Sequence, residues 1–198
     1  MEYGRLGQQL KFVMEADQLK QVVRRTLLLD GSRLENDAEH SWHAALAAMA
    51  LSEYANQPDL DLARVIKMLT VHDLVEIDAG DTYAYDDDAH LDKEERELKA
   101  AERIFGLLPA EQAQEMRGLW DEFEAQDTPE AKFAGAMDCL MPVLHNYQTQ
   151  GTQWLKSGVS SGRVLARNHA RIAGGSTQLA EFVSQLVADA VEKGYLLP

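Results

Sequence analysis

The sequence is dominated by apolar residues spaced three and four positions apart, which is the spacing of one face of an α-helix. The clearest example is an i, i+3, i+4, i+7 series formed by Leu62, Val65, Ile66 and Leu69. Polar and apolar residues alternate over no stretch long enough to predict a β-strand. The pattern therefore predicts an all-α fold, in the form of one compact helical bundle.

Capping residues, prolines and glycines divide this pattern into segments. Helices are predicted over residues 4–21, 37–56, 62–73, 93–107, 109–126, from Thr128 onwards, and over 177–193. Two segments are predicted to be irregular. Residues 78–92 combine a glycine, two tyrosines and a run of aspartates, and residues 151–176 contain five glycines.

Composition favours one domain in a reducing compartment. A chain of 198 residues, 45% of them hydrophobic, can bury one sizeable core. Cys139 is the only cysteine, so the chain cannot form an intrachain disulfide. The N-terminus lacks the pattern of a secretory signal, and no segment approaches the roughly 18 consecutive apolar residues of a membrane span. We therefore expect a single domain over residues 1–198, cytoplasmic and without a membrane partner.

The formal net charge of −14 argues against nucleic-acid polymers as partners. Proteins bind such polymers through clustered lysines and arginines that neutralise phosphates. A small anionic substrate remains compatible with this charge, but the protein then needs a local positive centre. A metal ion or specifically placed arginines would supply it.

Three places in the chain offer ligands for a divalent cation. His40 begins the second predicted helix, the pair His72-Asp73 ends the third, and Asp138 lies in the apolar stretch 134–144. Imidazoles and carboxylates are common ligands of first-row metals. Burying a carboxylate such as Asp138 among apolar residues is costly unless it is paired or holds a metal. These four side chains would leave coordination positions open for water or substrate.

The order His40, His72-Asp73, Asp138 resembles the H…HD…D signature of the HD-domain phosphohydrolase superfamily. The surrounding sequence, in particular residues 39–41, 72–81 and 136–138, resembles the HD-domain 5′-nucleotidases, which are deoxyribonucleoside 5′-monophosphatases. The similarity covers roughly residues 19–147, which would form the HD-domain core, with residues 148–198 as a helical extension.

This resemblance implies a metal-dependent hydrolase that removes phosphate from (deoxy)ribonucleoside 5′-monophosphates. It implies one divalent metal ion held by His40, His72, Asp73 and Asp138. Co²⁺ or Mn²⁺ is the usual activator of the family, with Mg²⁺, Zn²⁺, Fe²⁺ or Ni²⁺ as alternatives. Relatives form homodimers, so the resemblance also implies a homodimer.

The family pattern makes Glu76 and Asp81 the catalytic carboxylates. Glu76 follows Asp73 by three residues, so a continuing helix would project both carboxylates from one side. Gly80 precedes Asp81 and has the backbone freedom to turn the chain back towards the ion. One carboxylate would orient or deprotonate water, and the other, for which we choose Asp81, would protonate the leaving sugar oxygen.

The segment 19–24 resembles the family's leucine-lysine stretch that ends in a phosphate-binding arginine. Arg24 is the first choice for this role, because a guanidinium matches phosphate oxygens in pairs. Its neighbour Arg25 leaves the assignment open. Some family members carry tryptophan at this next position, close to the sugar. The preference between ribose and deoxyribose therefore also stays open.

Other functions of the same fold are rivals to this interpretation. A phosphodiesterase or a nucleoside-triphosphate hydrolase would use a similar ligand set. Two-metal phosphodiesterases of the superfamily carry extra histidines soon after the HD pair, and residues 74–89 contain none. A non-catalytic metal- or nucleotide-binding regulatory module is a further rival, which the retention of Glu76 and Asp81 disfavours.

The remaining histidines and basic residues are given structural roles. We expect His43 to pack or to support His40, and His90, His145 and His169 to be structural. Spacing i, i+4, i+8 would make one basic stripe of Arg163, Arg167 and Arg171 if their segment were helical. A salt-bridged surface is the favoured interpretation of this stripe, with phosphate binding as the alternative.

Overall fold

The computed structural model describes residues 4–86 and 91–198. The helices over these residues are α1 (Gly4–Ala16), α2 (Asp37–Leu51), α3 (Leu62–Val71), α4 (Glu76–Ala79), α5 (Lys93–Phe105), α6 (Ala110–Ala125), α7 (Pro129–Gln148), α8 (Thr152–Lys156), α9 (Ser161–Gly175) and α10 (Thr177–Glu192). Two strands, β1 (Val23–Leu27) and β2 (Leu34–Asn36), pair antiparallel. Short 3₁₀ turns cover Asp17–Gln21, Ser52–Tyr54 and His72–Val75. The prediction of an all-α fold is confirmed.

Capping residues fix where the site-bearing helices begin. Asn36 caps α2 in a capping box with Glu39. The Asn36 side chain accepts a hydrogen bond from the Glu39 backbone N–H, and the Glu39 side chain accepts one from the Asn36 backbone N–H. Thr128 caps α7, and Pro129 occupies the first turn, where its missing amide is tolerated. Helix α7 continues past Pro142 to its end. These caps set the register of His40 on α2 and of Asp138 on α7.

Helix α7 is the centre of the bundle. It packs against α2 and α3 and along α9, which in turn packs against α10. Phe133, Met137 and Leu140 of α7 are buried in the core. Trp154 of α8 is buried as well and extends the core towards the C-terminal helices. Helix α7 therefore carries Asp138 through the best-packed part of the protein.

Two sequence expectations about local structure were wrong. Residues 23–27 and 34–36 form a strand pair, although apolar and polar residues do not alternate there with the apolar ones facing the core. Residues 151–176, expected to be irregular, contain all of α8 and α9. The glycines of α9 lie in its first turn and at its last two residues, where they weaken a helix little.

The predicted loop before α5 is described in part. Gly80 has φ of +76°, and residues 81–86 carry no helix or strand. Residues 87–90, including His90, lie outside the described residues. In the parts of the chain that the structure describes, no helix is long and apolar enough to cross a membrane.

Helices α7 and α9 pack closely at Gly175, which gives a testable prediction. A Cβ added at Gly175 would lie 2.4 Å from the Lys132 carbonyl oxygen and 2.7 Å from the Cα of Phe133. Because backbone atoms cannot move aside easily, we expect Gly175→Ala to destabilise the protein by about 1–3 kcal/mol. Urea denaturation measures the change.

Gly174 is the matched control, since a Cβ there would meet only the Lys132 side chain at 3.9 Å. Gly174→Ala should leave the free energy of unfolding unchanged or raise it slightly. Equal stabilities of the two variants would contradict the close contact between the helices.

Candidate metal centre

Four side chains from three separate segments meet at one point. His40 comes from α2, His72 and Asp73 from the 3₁₀ turn after α3, and Asp138 from α7. Asp138 Oδ1 lies 3.0 Å from His40 Nε2 and 3.8 Å from His72 Nε2. His72 Nε2 lies 3.2 Å from Asp73 Oδ1. The ligand set predicted from the sequence therefore converges in space.

The donor atoms of this set fit a divalent cation. One nitrogen or oxygen each from His40, His72 and Asp73 lies within 4.8 Å of the other two. His72 donates its Nδ1–H to the Leu69 carbonyl at 2.9 Å, which leaves the lone pair of Nε2 directed at the carboxylates. Nε2 is buried and has no hydrogen-bond partner among the described residues. A cation between the imidazoles and carboxylates would satisfy it.

Protons and a cation compete for the two imidazoles. Burial and the charge of Arg24 lower the pKa of His40, but its hydrogen bond to Asp138 and the nearby Glu35 carboxylate outweigh them and raise this pKa to about 9. Burial also opposes the charged form of His72, yet Asp73 and Asp138 raise its pKa. Burial would raise the pKa of Asp138, whereas the two histidines hold it well below its usual value. Metal binding must therefore displace protons.

Arg24 is the positive centre of the site. Its Nη1 donates to Asp37 Oδ1 at 3.0 Å and to Asp73 Oδ2 at 3.2 Å, and it lies 3.8 Å from Asp81 Oδ1. Burial would lower the pKa of Arg24, but Asp73, Asp81 and Asp37 together raise it. The described residues supply no hydrogen-bond acceptor for Nη2. This nitrogen is available to an anionic ligand.

Burial and crowding raise the pKa values of the carboxylates around this centre. Burial, followed by the charge of Asp73, raises the pKa of Asp37 to about 7 and that of Glu76 to about 9. Burial also raises the pKa of Asp81. Negative charge is thus in excess around Arg24, and additional positive charge would stabilise the ionised forms.

Glu76 and Asp81 reach the same cavity by different routes. Glu76 begins α4 directly after the 3₁₀ turn that carries Asp73, and it is buried. The chain then turns at Gly80, which adopts the left-handed conformation expected of a glycine before Asp81. Both side chains line one open cavity together with Arg24, Asp73 and Asp138.

The far wall of the cavity comes from the C-terminal helices and the loop before α5. It is formed by aromatic, amide and basic side chains, namely Tyr85, Asn146, Trp154, Arg167 and Asn168. Asn146 donates its amide to the Pro142 carbonyl, and its Oδ1 is buried without a partner among the described residues. Arg25 also lines the cavity, and its guanidinium stacks on the Tyr83 ring.

The basic stripe on α9 faces the site. From the sequence, phosphate binding was the less favoured interpretation of this stripe. Arg167 lines the cavity. Arg171 Nη2 lies 3.9 Å from Asp138 Oδ2, on the side opposite the histidines. Gly135 makes room for it, because a Cβ there would lie 2.7 Å from Arg171 Nε. The i, i+4, i+8 spacing was the available signal, and the glycines around it obscured the helix.

Other residues missed by the sequence analysis stand behind the ligands. Asp37 and Glu35 flank the Asn36 cap and approach Arg24, while Lys93 lines the cavity mouth and pairs with Glu97. Asp37 lies two residues before the Glu39-His40 motif, so proximity in sequence could have found it. Lys93 offered no such signal.

Cys139 follows Asp138 in α7, and His43 and His145 contact each other. Burial raises the pKa of the Cys139 thiol to about 12, so it stays protonated and is a poor metal ligand. His145 donates Nδ1–H to the Leu27 carbonyl at 2.8 Å. His43 stacks on Trp42, and its Nδ1 lies 3.4 Å from His145 Nε2.

Known proteins resemble this chain in sequence and in structure. Residues 16–180 match the HD domain family. The human 5′-deoxynucleotidase HDDC2 is 32% identical over 136 residues, which cover 68% of this chain and 65% of the human protein. The zebrafish (Danio rerio) 5′-deoxynucleotidase HDDC2 is 30% identical over 142 residues, covering 70% of this chain and 69% of that protein.

A crystal structure resembles nearly the whole chain. It is that of a predicted metal-dependent phosphohydrolase from Magnetospirillum magnetotacticum MS-1, which is 51% identical. The match covers 98% of this chain and 96% of that protein, with a TM-score of 0.93. A protein from Pyrococcus horikoshii OT3, 20% identical with a TM-score of 0.66 over 89% of this chain and 99% of its own, shares the fold.

The proton competition at His40 predicts how metal affinity depends on pH. With a pKa of about 9, His40 is mostly protonated at pH 7 and must lose its proton to become a ligand. Raising the pH from 6 to 8 should therefore strengthen Mn²⁺ binding, by about tenfold per pH unit for each proton released. Isothermal titration calorimetry in buffers of different ionisation enthalpy counts the protons.

Asp138→Asn is the informative comparison, because it removes a ligand and the carboxylate that raises the pKa of His40. It should bind Mn²⁺ much more weakly and release fewer protons. An affinity that is independent of pH in the wild type would contradict this description of the site.

Proposed function

We propose, since the chain belongs to the HD domain family, that it is a metal-dependent phosphomonoesterase acting on (deoxy)ribonucleoside 5′-monophosphates. The observation that carries the proposal is that a single cavity is lined by Arg24, Glu76, Asp81 and two of the predicted ligands, Asp73 and Asp138. Relatives named 5′-deoxynucleotidase and a related predicted metal-dependent phosphohydrolase support it. Catalytic carboxylates, a ligand set and a phosphate-binding cation are the parts that hydrolysis of a phosphomonoester requires.

His40, His72, Asp73 and Asp138 would hold the cation. When bound, a divalent cation supplies positive charge that favours deprotonation of a nearby water and withdraws electrons from the phosphoryl group. We assign Mn²⁺ or Co²⁺, because two imidazoles and two carboxylates form a mixed nitrogen and oxygen set that suits first-row ions. Mg²⁺, Zn²⁺, Fe²⁺ and Ni²⁺ are the alternatives to be compared.

Arg24 would bind and orient the phosphate. Its Nη1 is fixed by Asp37 and Asp73, so the guanidinium plane is set before substrate arrives. Its Nη2 is free to donate to a phosphate oxygen. Arg24 therefore takes the role that the sequence left open between it and Arg25, and Arg25 lines the cavity wall beside Tyr83.

Glu76 and Asp81 would transfer the protons. Burial raises the pKa of Glu76 to about 9, and the positive charge of a bound cation would lower it, so that ionised Glu76 would accept the proton of the attacking water. The raised pKa of Asp81 favours its protonated form, so Asp81 donates a proton to the leaving sugar oxygen. Both pKa shifts arise first from burial, which also limits the water that can compete for these protons.

The far wall of the cavity suits a nucleoside. An aromatic pair, Tyr85 and Trp154, together with the amides of Asn146 and Asn168, can contact a base or sugar beyond the phosphate. The unpaired Oδ1 of Asn146 would accept a hydrogen bond from a donor on the substrate. A phosphoester without a base or sugar would leave these polar atoms without a hydrogen-bond partner.

Phosphate release from ribo- and deoxyribonucleoside mono-, di- and triphosphates tests the proposal. With Mn²⁺ or Co²⁺ we expect monophosphates to be cleaved best, and Glu76→Ala or Asp138→Ala to lower kcat by about 10²-fold or more, because each removes a proton acceptor or a ligand. Phosphate release chiefly from triphosphates would favour the triphosphatase rival, and cleavage of cyclic dinucleotides, followed separately by chromatography of the products, would favour the phosphodiesterase rival.

Glu53→Ala, an acidic residue in the 3₁₀ turn after α2, serves as the control and should retain full activity. Folded wild type that binds the metal tightly but releases phosphate from none of these compounds would favour the regulatory module instead.

We further propose a cytoplasmic homodimer. The cytoplasmic location rests on the single cysteine, because a chain without an intrachain disulfide suits a reducing compartment. The dimer rests on family resemblance and on an apolar stripe of α2 that consists of Trp42, Leu46 and Met49, at spacing i, i+4, i+7. Trp42 is 65% exposed, and the three side chains border an apolar groove against Leu19 and Ile66. A second copy of this chain would cover the stripe.

Light scattering after gel filtration tests the dimer. We expect the wild type at twice the chain mass and the double variant Leu46→Glu, Met49→Glu at one chain mass, because two charges would be buried unpaired in the interface. Phe182→Glu on α10 is the control, because Phe182 is 46% exposed and Leu46 is 45% exposed. This variant should remain a dimer. A monomeric wild type would contradict the proposal.

A further inference from the structure

Three buried polar atoms face one another behind the cavity. They are Glu35 Oε2, His40 Nδ1 and Arg24 Nε, and none has a hydrogen-bond partner among the residues that the structure describes. Glu35 Oε2 lies 3.7 Å from His40 Nδ1 and 3.9 Å from Arg24 Nε. These are ion-pair distances, longer than a hydrogen bond. The carboxylate thus pairs with two residues that have different roles in the site.

We propose that Glu35 is a positioning residue that sets the orientation of both His40 and Arg24. With Nδ1–H directed at Glu35, His40 presents the lone pair of Nε2 to the ligand set beside Asp138. With Nε–H directed at the same carboxylate, Arg24 keeps its two Nη atoms on the cavity side. The inference rests on the proposed function, which assigns the cation to His40 and the phosphate to Arg24.

Glu35 is held firmly enough to act in this way. It lies in β2, which pairs with β1, and only 2% of its surface is exposed. Its second oxygen, Oε1, lies 4.0 Å from His145 Nε2. His145 is fixed in turn by its hydrogen bond to the Leu27 carbonyl. The carboxylate therefore has a defined place between the strand pair and α7.

The group formed by Glu35, His43 and His145 also has ligand atoms within 4.8 Å of one another. Because His145 donates Nδ1–H to Leu27, its Nε2 is an acceptor in the neutral form, and His43 Nδ1 can donate to it across 3.4 Å. Donors and acceptors are matched in this arrangement. The group therefore supports Glu35 without requiring a second cation.

The consequence is that one carboxylate links metal binding to phosphate binding. Hydrogen-bond partners behind metal ligands typically contribute 10-fold to 100-fold to metal affinity. Glu35→Gln keeps the size of the side chain and one acceptor oxygen, but it removes the negative charge that pairs with both His40 and Arg24.

The experiment compares wild type, Glu35→Gln and Glu35→Asp in the absence of turnover. Competition with a chelator measures Mn²⁺ affinity, and calorimetry measures binding of inorganic phosphate to the metal-loaded protein. ¹⁵N NMR of the metal-free protein at pH 10, where His40 is neutral, measures the His40 tautomer. For Glu35→Gln we expect metal affinity to fall about 10-fold to 100-fold, phosphate affinity to fall about tenfold, and the Nδ1–H tautomer of His40 to lose population. Glu35→Asp should restore part of each.

Glu39→Gln is the matched control, because Glu39 pairs with Arg33 at the surface and glutamine preserves the capping box of α2. It should match wild type in all three measurements. Circular dichroism verifies that each variant is folded.

Unchanged metal affinity and an unchanged His40 tautomer in folded Glu35→Gln would overturn the inference. So would a fall in metal stoichiometry from two ions to one, since Glu35 would then itself be a ligand. If the wild type binds Mn²⁺ and phosphate but hydrolyses no nucleotide, the proposed function fails while the role of Glu35 stands.

Discussion

Neutralisation of buried negative charge governs the arrangement of this protein. Asp37, Asp73, Asp81 and Asp138 approach one another where helices and strands meet, and a buried carboxylate is costly unless positive charge compensates it. Arg24 enters the group from a strand, and two histidines enter from the ends of helices. The strand pair, the caps of α2 and α7 and the 3₁₀ turn after α3 all serve to bring these charges into contact.

The sequence could predict the ligand set because each member carried a local signal. Asp138 stood in an apolar stretch, and His40 and His72-Asp73 stood at the ends of strongly periodic helices. The turn at Gly80 was also predictable, since a left-handed conformation there requires glycine. Residues whose chemistry conflicts with their immediate neighbours are the ones that sequence reasoning finds most easily.

The strand pair escaped prediction because its polarity is reversed. In β1 the outward residues include Val23 and the inward ones are Arg24 and Thr26, and in β2 the fully inward residue is Glu35. A rule that assigns apolar residues to the interior cannot detect strands that point charge inwards. The importance of Glu35 depends on partners distant in sequence, and such contacts have no local signature.

The two walls of the cavity come from different parts of the chain. The ligands, Glu76, Asp81 and Arg24 all precede residue 139, whereas Trp154, Arg167 and Asn168 belong to the last fifty residues. The residues proposed for the reaction therefore precede residue 139, whereas most of the far wall, apart from Tyr85, follows it. Substitutions in α8 and α9 can reshape what the cavity accepts while the reactive groups keep their positions, which gives this architecture a direct route to new substrates during evolution.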